Sequence, residues 1–256
     1  MKIKIIDPFV CENCNIKSCK FLTVSSIKED FIKLTSETTI CPTSAIDENG
    51  PLASDLKSAA ICSESCVKCG LCAKFCAHKN LVIECGSSQA NEFVNLDAIQ
   101  LKAVTSLYLS ILFDFAANTN RNQALPFDCY VSTGSGAEAF VEIDAGDDSL
   151  ECLRRILGDI VMFSQTHPIS NGIIVLSSLP KIGSRDIFSV LAKMKEFPTT
   201  RKLNVYITTF SDLRMLCLAG VTRVNDFKSV LFDCSNETQT TYESRIRQLL
   251  SKATEV

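Results

Sequence analysis

The chain has 256 residues, a formal net charge of −3, 46% hydrophobic residues and 21% charged residues. This composition supports a buried core and excludes disorder of the whole chain or a strongly cationic coat for nucleic acid. No apolar run approaches the roughly 18 residues of a membrane span, and Asp7 interrupts the start before a signal-peptide core forms. We therefore expect a cytoplasmic protein without a membrane span.

Cysteine is concentrated at one end of the chain. Ten of the 14 cysteines lie within the first 90 residues. This shift predicts two domains, 1–90 and 91–256. Without an export signal, a dense array of thiols indicates metal binding rather than disulfides.

The strongest motif is C-x2-C-x2-C-x3-C, formed by Cys66, Cys69, Cys72 and Cys76. Its spacing is that of ligands to iron–sulfur clusters. Three thiolates two residues apart, on a loop that curls around a centre, reach three corners of one cube. The fourth ligand must come from elsewhere in the chain. Zinc is the alternative, but zinc sites usually take their ligands as separated C-x2-C pairs.

A second set of cysteines lies upstream, as Cys11, Cys14, Cys19 and then Cys41 in the segment CPTSAI. This segment is similar to the Cys-Pro-Thr-Gly-Ala-Ile that follows the last ligand in two-cluster bacterial ferredoxins. The C-x2-C-x4-C spacing resembles that in ferredoxin-type electron-transfer subunits of molybdenum oxidoreductases.

The resemblance implies an α+β ferredoxin-like domain with two 4Fe–4S clusters. In this family the last cysteine of each motif ligates the cluster of the other motif. Carried over to this chain, the ligands of cluster one are Cys11, Cys14, Cys19 and Cys76. Those of cluster two are Cys66, Cys69, Cys72 and Cys41.

The segment between Cys19 and Cys41 is longer than the family's, which has about three residues there. Within residues 25–37, an N-capping serine and apolar Ile27, Phe31 and Leu34 predict an inserted helix. Cys62 and Cys85 are surplus to the two ligand sets, and we interpret both as small buried apolar thiols.

The second half alternates between helical and extended patterns, which predicts an α/β domain with a mixed central sheet. An entirely apolar run at 172–176 predicts a central strand covered on both faces. The other expected strands are 127–132, 139–144 and 203–208, with a hairpin turn at 133–136. The expected helices are 96–117, 148–163, 184–196, 212–218 and 243–251.

This order of elements resembles the restriction-endonuclease-like (PD-(D/E)xK) fold, in which a first helix precedes a hairpin that carries acids. The matching residues are Asp128 after Pro126-Phe127, and then, after thirteen intervening residues, Glu142 and Asp144. The resemblance implies an Asp and a Glu on adjacent strands that hold Mg²⁺ or Mn²⁺. The family's lysine position is Asp144 here. Either the site works with altered chemistry, or the fold is kept as a binding scaffold.

Three functions follow from these patterns. The first is electron transfer by two 4Fe–4S clusters, with the α/β domain docking a redox partner protein. The second is an iron–sulfur protein that binds or cuts nucleic acid through Asp128, Glu142 and Asp144. The third is a scaffold without catalysis, in which the clusters supply folding energy to a small domain.

Overall fold

The structure, a computed structural model, divides by its internal contacts into two compact units. The first comprises residues 1–25 and 36–107, and the second comprises 26–35 and 108–256. The domain boundary expected near residue 90 lies outside the described residues. The structure describes residues 2–13, 21–23, 27–28, 33–34, 37–39, 41, 45–46, 53–61, 66, 71–74, 76, 78–84, 98–118, 127–144, 158–159, 161–162, 169–176, 203–233 and 237–254.

The first unit contains an antiparallel pair formed by segments far apart in sequence. Strand β1 (Lys2–Ile5) pairs with β6 (Leu81–Glu84), and Ile5 lies opposite Leu81. Both of these side chains are buried. The Ile5 N–H donates to the Ala59 carbonyl, which attaches a third segment to the pair. Buried apolar side chains at the end of the pair fix its register.

Short helices and a second strand pair complete the first unit. Helix α1 (Pro8–Glu12) begins at Asp7, whose side chain accepts the Phe9 N–H at 3.0 Å. Proline is suited to the first helical position because the missing N–H would have no intrahelical acceptor there. The other elements are α2 (Ala53–Ser58), α3 (Leu71–Lys74) and the antiparallel pair of β2 (Phe21–Thr23) with β5 (Glu37–Thr39).

The inserted helix expected within 25–37 is wrong over the described part of that segment. Strands β3 (Ile27–Lys28) and β4 (Lys33–Leu34) form an antiparallel pair instead, and their contacts assign them to the second unit. Helix propensity is a weak preference, and a partner strand that supplies backbone hydrogen bonds overrides it. Phe31 lies outside the described residues.

The second unit is an α/β domain with a mixed central sheet, as the sequence predicts. Among the described residues the sheet has six strands that lie side by side in chain order. The strands are β7 (Phe115–Asn118), β8 (Cys129–Ser132), β9 (Glu138–Asp144), β10 (Asn171–Leu176), β11 (Asn204–Thr209) and β12 (Phe232–Asp233). The first three form an antiparallel meander, β9, β10 and β11 are parallel, and β12 is antiparallel to β11.

Strand β10 is central, as its unbroken apolar sequence predicts. It pairs in parallel with β9 on one side and with β11 on the other. Ile173, Ile174 and Val175 have no exposed surface. A parallel strand covered on both faces carries apolar side chains at successive positions instead of alternating ones.

The helix expected over 96–117 ends earlier than predicted. Helix α4 (Ala98–Leu112) is followed at once by β7, which pairs with β8 so that Phe115 lies opposite Ser132. Leu112, Phe113 and Phe115 are all buried. Because the apolar run continues unbroken from helix into strand, its periodicity gives no sign of the boundary.

The hairpin turn expected at 133–136 is confirmed between β8 and β9. Gly136 has a φ of +80°, and its N–H donates to the Thr133 carbonyl at 2.8 Å. Glycine adopts this left-handed conformation without the steric cost that a Cβ imposes. The Ser135 hydroxyl donates to the Asn225 carbonyl, so the turn is also attached to a loop 90 residues further along the chain.

Three helices complete the described part of the second unit. They are α5 (Phe210–Leu218), α6 (Phe227–Val230) and α7 (Gln239–Thr254). Residues 158–159 and 161–162 are helical within the expected 148–163 helix, whose remainder lies outside the described residues, as does the expected helix 184–196. No helix in the described stretches has the length and apolar character needed to cross a bilayer.

Candidate functional site

Two of the predicted cluster cysteines lie beside the β1–β6 pair. Cys11 follows β1 in α1, and Cys76 precedes β6. Because the strands are antiparallel, the chain that leaves β1 lies next to the chain that enters β6. Cys11 is 9% exposed, and Cys76 is half-buried. The pairing therefore brings one cysteine from each motif to the same end of the strand pair.

Asn80 connects these two cysteines through hydrogen bonds. Its side-chain Nδ2 donates to Cys11 Sγ at 3.0 Å and to the Asp7 carbonyl at 2.7 Å. Its Oδ1 accepts the Asp7 N–H at 2.9 Å. Its own backbone N–H donates to Cys76 Sγ at 3.3 Å, and its carbonyl accepts the Ile6 N–H. Each polar group of this residue, which is 5% exposed, therefore has a partner.

The turn before Asn80 directs its backbone N–H at the sulfur. Lys79 has a φ of +51°, in the left-handed region, and its N–H donates to the Cys76 carbonyl at 3.0 Å. Such a conformation in a residue with a Cβ costs free energy and persists where the surroundings require it. Here it reverses the chain so that the next N–H meets the Cys76 sulfur.

The last cysteine of the first motif accepts a hydrogen bond in the same way. Cys41 Sγ accepts the Ala45 N–H at 3.1 Å, across four residues, as Cys76 Sγ does from Asn80. Ala45 and Ile46 are buried. An N–H directed at a sulfur stabilises negative charge on it, which is the charge that a metal-ligating thiolate carries.

The remaining predicted ligands are described in part. Cys72 is buried in α3 and Cys66 is half-buried, whereas the other three predicted ligands and both surplus cysteines lie outside the described residues. Within the described ranges, no group of three or more His, Cys, Asp or Glu side chains is arranged to hold a metal ion. Cys41, Cys66 and Cys72 thus do not form such a group, and neither do the three predicted acids Asp128, Glu142 and Asp144. The undescribed cysteines are Cys14, Cys19, Cys69, Cys62 and Cys85.

The acids singled out in the second half lie at one edge of the six-stranded sheet. Cys129 pairs with Val141, and the Asp128 N–H donates to the same Val141 carbonyl, so Asp128 lies beside the segment of β9 that carries Glu142 and ends at Asp144. Glu142 and Asp144 occupy alternate positions of this strand and therefore share a face. This is also the edge at which the parallel strands β9, β10 and β11 end, where α/β sheets commonly bind ligands.

Asp128 has a structural partner at this edge. Its Oδ2 accepts the Ile143 N–H at 3.0 Å, and its own N–H donates to the Val141 carbonyl at 3.0 Å. Asp128 is 7% exposed and Glu142 is 8% exposed. The carboxylate therefore continues the β8–β9 hydrogen bonding beyond the end of β8.

Perturbed titratable groups lie elsewhere in the second unit. The Tyr242 hydroxyl donates to Asp212 Oδ2 at 3.0 Å, between α7 and α5. Burial is the main cause that raises the pKa of Asp212, and burial also raises the pKa of Tyr242. Burial, with the nearby Asp233 and Asp226 carboxylates, raises the pKa of Tyr206 to about 12. These shifts arise from burial around β11, α5 and α7, and none involves a predicted site residue.

Asn80 is the site residue that the sequence motifs miss. No ligand pattern includes it, and its partners Asp7 and Cys11 lie 73 and 69 positions away. The available signal was its place four residues after Cys76, which matches the place of Ala45 after Cys41. No protein-family model matches this chain, and no curated protein or solved structure matches it either.

Proposed function

We propose that this chain binds two 4Fe–4S clusters and transfers electrons to or from a partner protein docked by its α/β domain. The observation that carries the proposal is the link through Asn80 between Cys11 and Cys76. These cysteines belong to different motifs, and crosswise ligation requires them to serve one cluster.

The chemistry of the donor set fits an iron–sulfur cluster. Thiolates are the usual ligands of such clusters, and N–H groups directed at the sulfurs are characteristic surroundings. Three N–H groups meet cysteine sulfurs here, two from Asn80 and one from Ala45.

The chain's own residues hold and orient the ligands. The β1–β6 pair fixes the two segments, and Asn80 fixes Cys11 and Cys76 within them. When bound, the clusters supply one-electron oxidation and reduction. The partial burial of Cys11 and Cys72 limits access of water, and solvent access is one determinant of reduction potential.

The test is anaerobic purification followed by quantification of iron and sulfide, with paramagnetic resonance of the reduced protein. We expect the signals of two interacting 4Fe–4S centres and reversible reduction at low potential. Cys11→Ser and Cys76→Ser should each remove the same cluster, whereas Cys66→Ser should remove the other one. Cys217→Ser is the matched control, because Cys217 is buried in the second unit and its Sγ donates to the Tyr108 carbonyl.

Two results distinguish the alternatives. A colourless parent protein that holds zinc contradicts the proposal. Clusters that are present but cannot be reduced reversibly favour the structural scaffold, in which bound metal stabilises the fold without turnover.

A second candidate function rests on the two acids at the sheet edge. We propose metal-dependent cleavage of nucleic acid as this alternative, because Asp128 accepts the N–H of Ile143, the residue next to Glu142, and both acids are buried. A helix precedes the meander that carries them, as in the restriction-endonuclease-like fold. Paired carboxylates suit Mg²⁺ or Mn²⁺ and a phosphodiester.

The test compares DNA cleavage, with either metal, by the parent chain and two variants. Asp128→Asn keeps an oxygen to accept the Ile143 N–H but removes the charge, and Glu142→Gln removes the charge of the acid on β9. Both should abolish cleavage. Asp114→Asn is the control. This exposed residue precedes β7, and it lies near Ser132, at the opposite end of β8 from Asp128. Absence of cleavage by the parent rejects this alternative.

A further inference from the structure

We propose that Asn80 is a positioning residue that holds Cys11 and Cys76 together and raises the reduction potential of the cluster they serve. This inference rests on the proposed function, since it assigns a role toward one of the two clusters. It concerns a side chain outside every cysteine motif.

The geometry separates two contributions of this residue. The side-chain amide joins Cys11 Sγ to the backbone of Asp7, with one N–H on each and the amide oxygen on the Asp7 N–H. The backbone N–H meets Cys76 Sγ independently of the side chain. A substitution of Asn80 therefore removes the contact with Cys11 and leaves the donor to Cys76 in place.

The direction of the effect follows from charge. Reduction adds negative charge to a cluster and its thiolates, and an N–H directed at a sulfur stabilises that charge. A donor in a buried place acts more strongly than one in water because the local dielectric constant is low. Loss of the side-chain donor should therefore make the potential of this cluster more negative.

Asn80→Asp is the principal variant. It has nearly the same shape and can still accept the Asp7 N–H, but a carboxylate has no N–H for Cys11 Sγ. It also places a negative charge beside a thiolate. We expect one cluster either to shift to a more negative potential or to be lost, with half of the iron, while the other cluster keeps its potential and its signal.

Asn80→Ala separates loss of the donor from the added charge. It should shift the same cluster in the same direction by a smaller amount. Asn171→Asp is the matched control, because the Asn171 side chain also joins two segments but donates to the Glu138 carbonyl in the second unit. It adds the same charge and should leave both potentials unchanged.

The outcomes are distinct. A parent chain without iron overturns the proposed function and this inference together. A parent with two clusters, whose potentials are unchanged in Asn80→Asp, overturns this inference alone. An equal shift of both clusters, or loss of both in Asn80→Asp, also overturns it, because the residue would then support the whole unit and not one site. If Asn80→Ala does not fold, Asn80→Asp decides.

Discussion

Each of the two units is stabilised internally by a different kind of interaction. In the first unit, the described strands form isolated pairs. The helices α1, α2 and α3 have only four to six residues. Such two-stranded pairs are marginal in water. The second unit has a six-stranded sheet with aromatic residues packed around it, including Phe113 against Phe227 at 5.1 Å between ring centres. In the described residues, side-chain hydrogen bonds such as those of Asn80 connect the segments of the first unit, whereas apolar burial stabilises the second.

The largest expected effect is that of metal removal. Anaerobic chelation of the iron should abolish amide protection in β1 and β6, because structural metal binding supplies folding free energy to small domains. The sheet strands β8–β11 should keep their protection, since burial stabilises them. Hydrogen exchange measured by mass spectrometry compares both regions in one sample. Equal loss of protection in both units would contradict the comparison.

Truncation in the sheet should have the converse effect. Ile174→Ala removes a fully buried side chain from β10, and such substitutions cost about 2–5 kcal/mol of unfolding free energy. Urea unfolding of the second unit reports this loss, and iron content should not change. Ile5→Ala, at an equally buried position in β1, is the counterpart that should lower iron content instead.

A smaller effect on stability is expected from removing the hydrogen-bond acceptor that Asp128 provides at the sheet edge. Asp128→Ala removes the acceptor of the Ile143 N–H, and leaving such a buried group unsatisfied costs about 1–3 kcal/mol. Asp128→Asn keeps an acceptor oxygen and should cost less, as measured by urea unfolding. Equal destabilisation by the two variants would mean that the carboxylate charge, and not the hydrogen bond, stabilises this edge.

The smallest effect concerns pH. Because burial raises the pKa of Asp212 above its ordinary value of 3.8, the folded chain binds this proton more tightly than the unfolded chain does. The resulting stabilisation is complete below 3.8 and is lost as the pH rises through the folded pKa. Asp212→Asn keeps an acceptor for the Tyr242 hydroxyl and should flatten this decline in urea unfolding. Parallel pH profiles for parent and variant would show that Asp212 does not cause it.

Parts of the sheet could be predicted because their sequences carry a local signal. The apolar run of β10 and the glycine of the 133–136 turn each express a physical requirement of the element itself. The start of β7 could not be predicted, because Phe115 continues the apolar pattern of α4. The pair of β3 and β4 was missed because tertiary pairing overrode helix propensity.

The site shows the same division between local and distant information. Cysteine spacing predicts ligand sets because neighbouring thiolates must reach one centre, and the positions of Asp128 and Glu142 follow from a hairpin. Asn80 depends on a register between segments about seventy residues apart. A single sequence contains no pattern at that separation, so this contact was visible only in the folded chain.

The pairing of β1 with β6 has a consequence for synthesis of the protein. Ribosomes produce the chain from its amino end, so Cys11 emerges long before Asn80 and Leu81 exist. Until residues near Glu84 have left the ribosome, the strand that positions Cys11 has no partner, and its thiol stays accessible to oxidants. The hydrogen bond from Asn80 to Cys11 therefore forms only late in translation of the first unit.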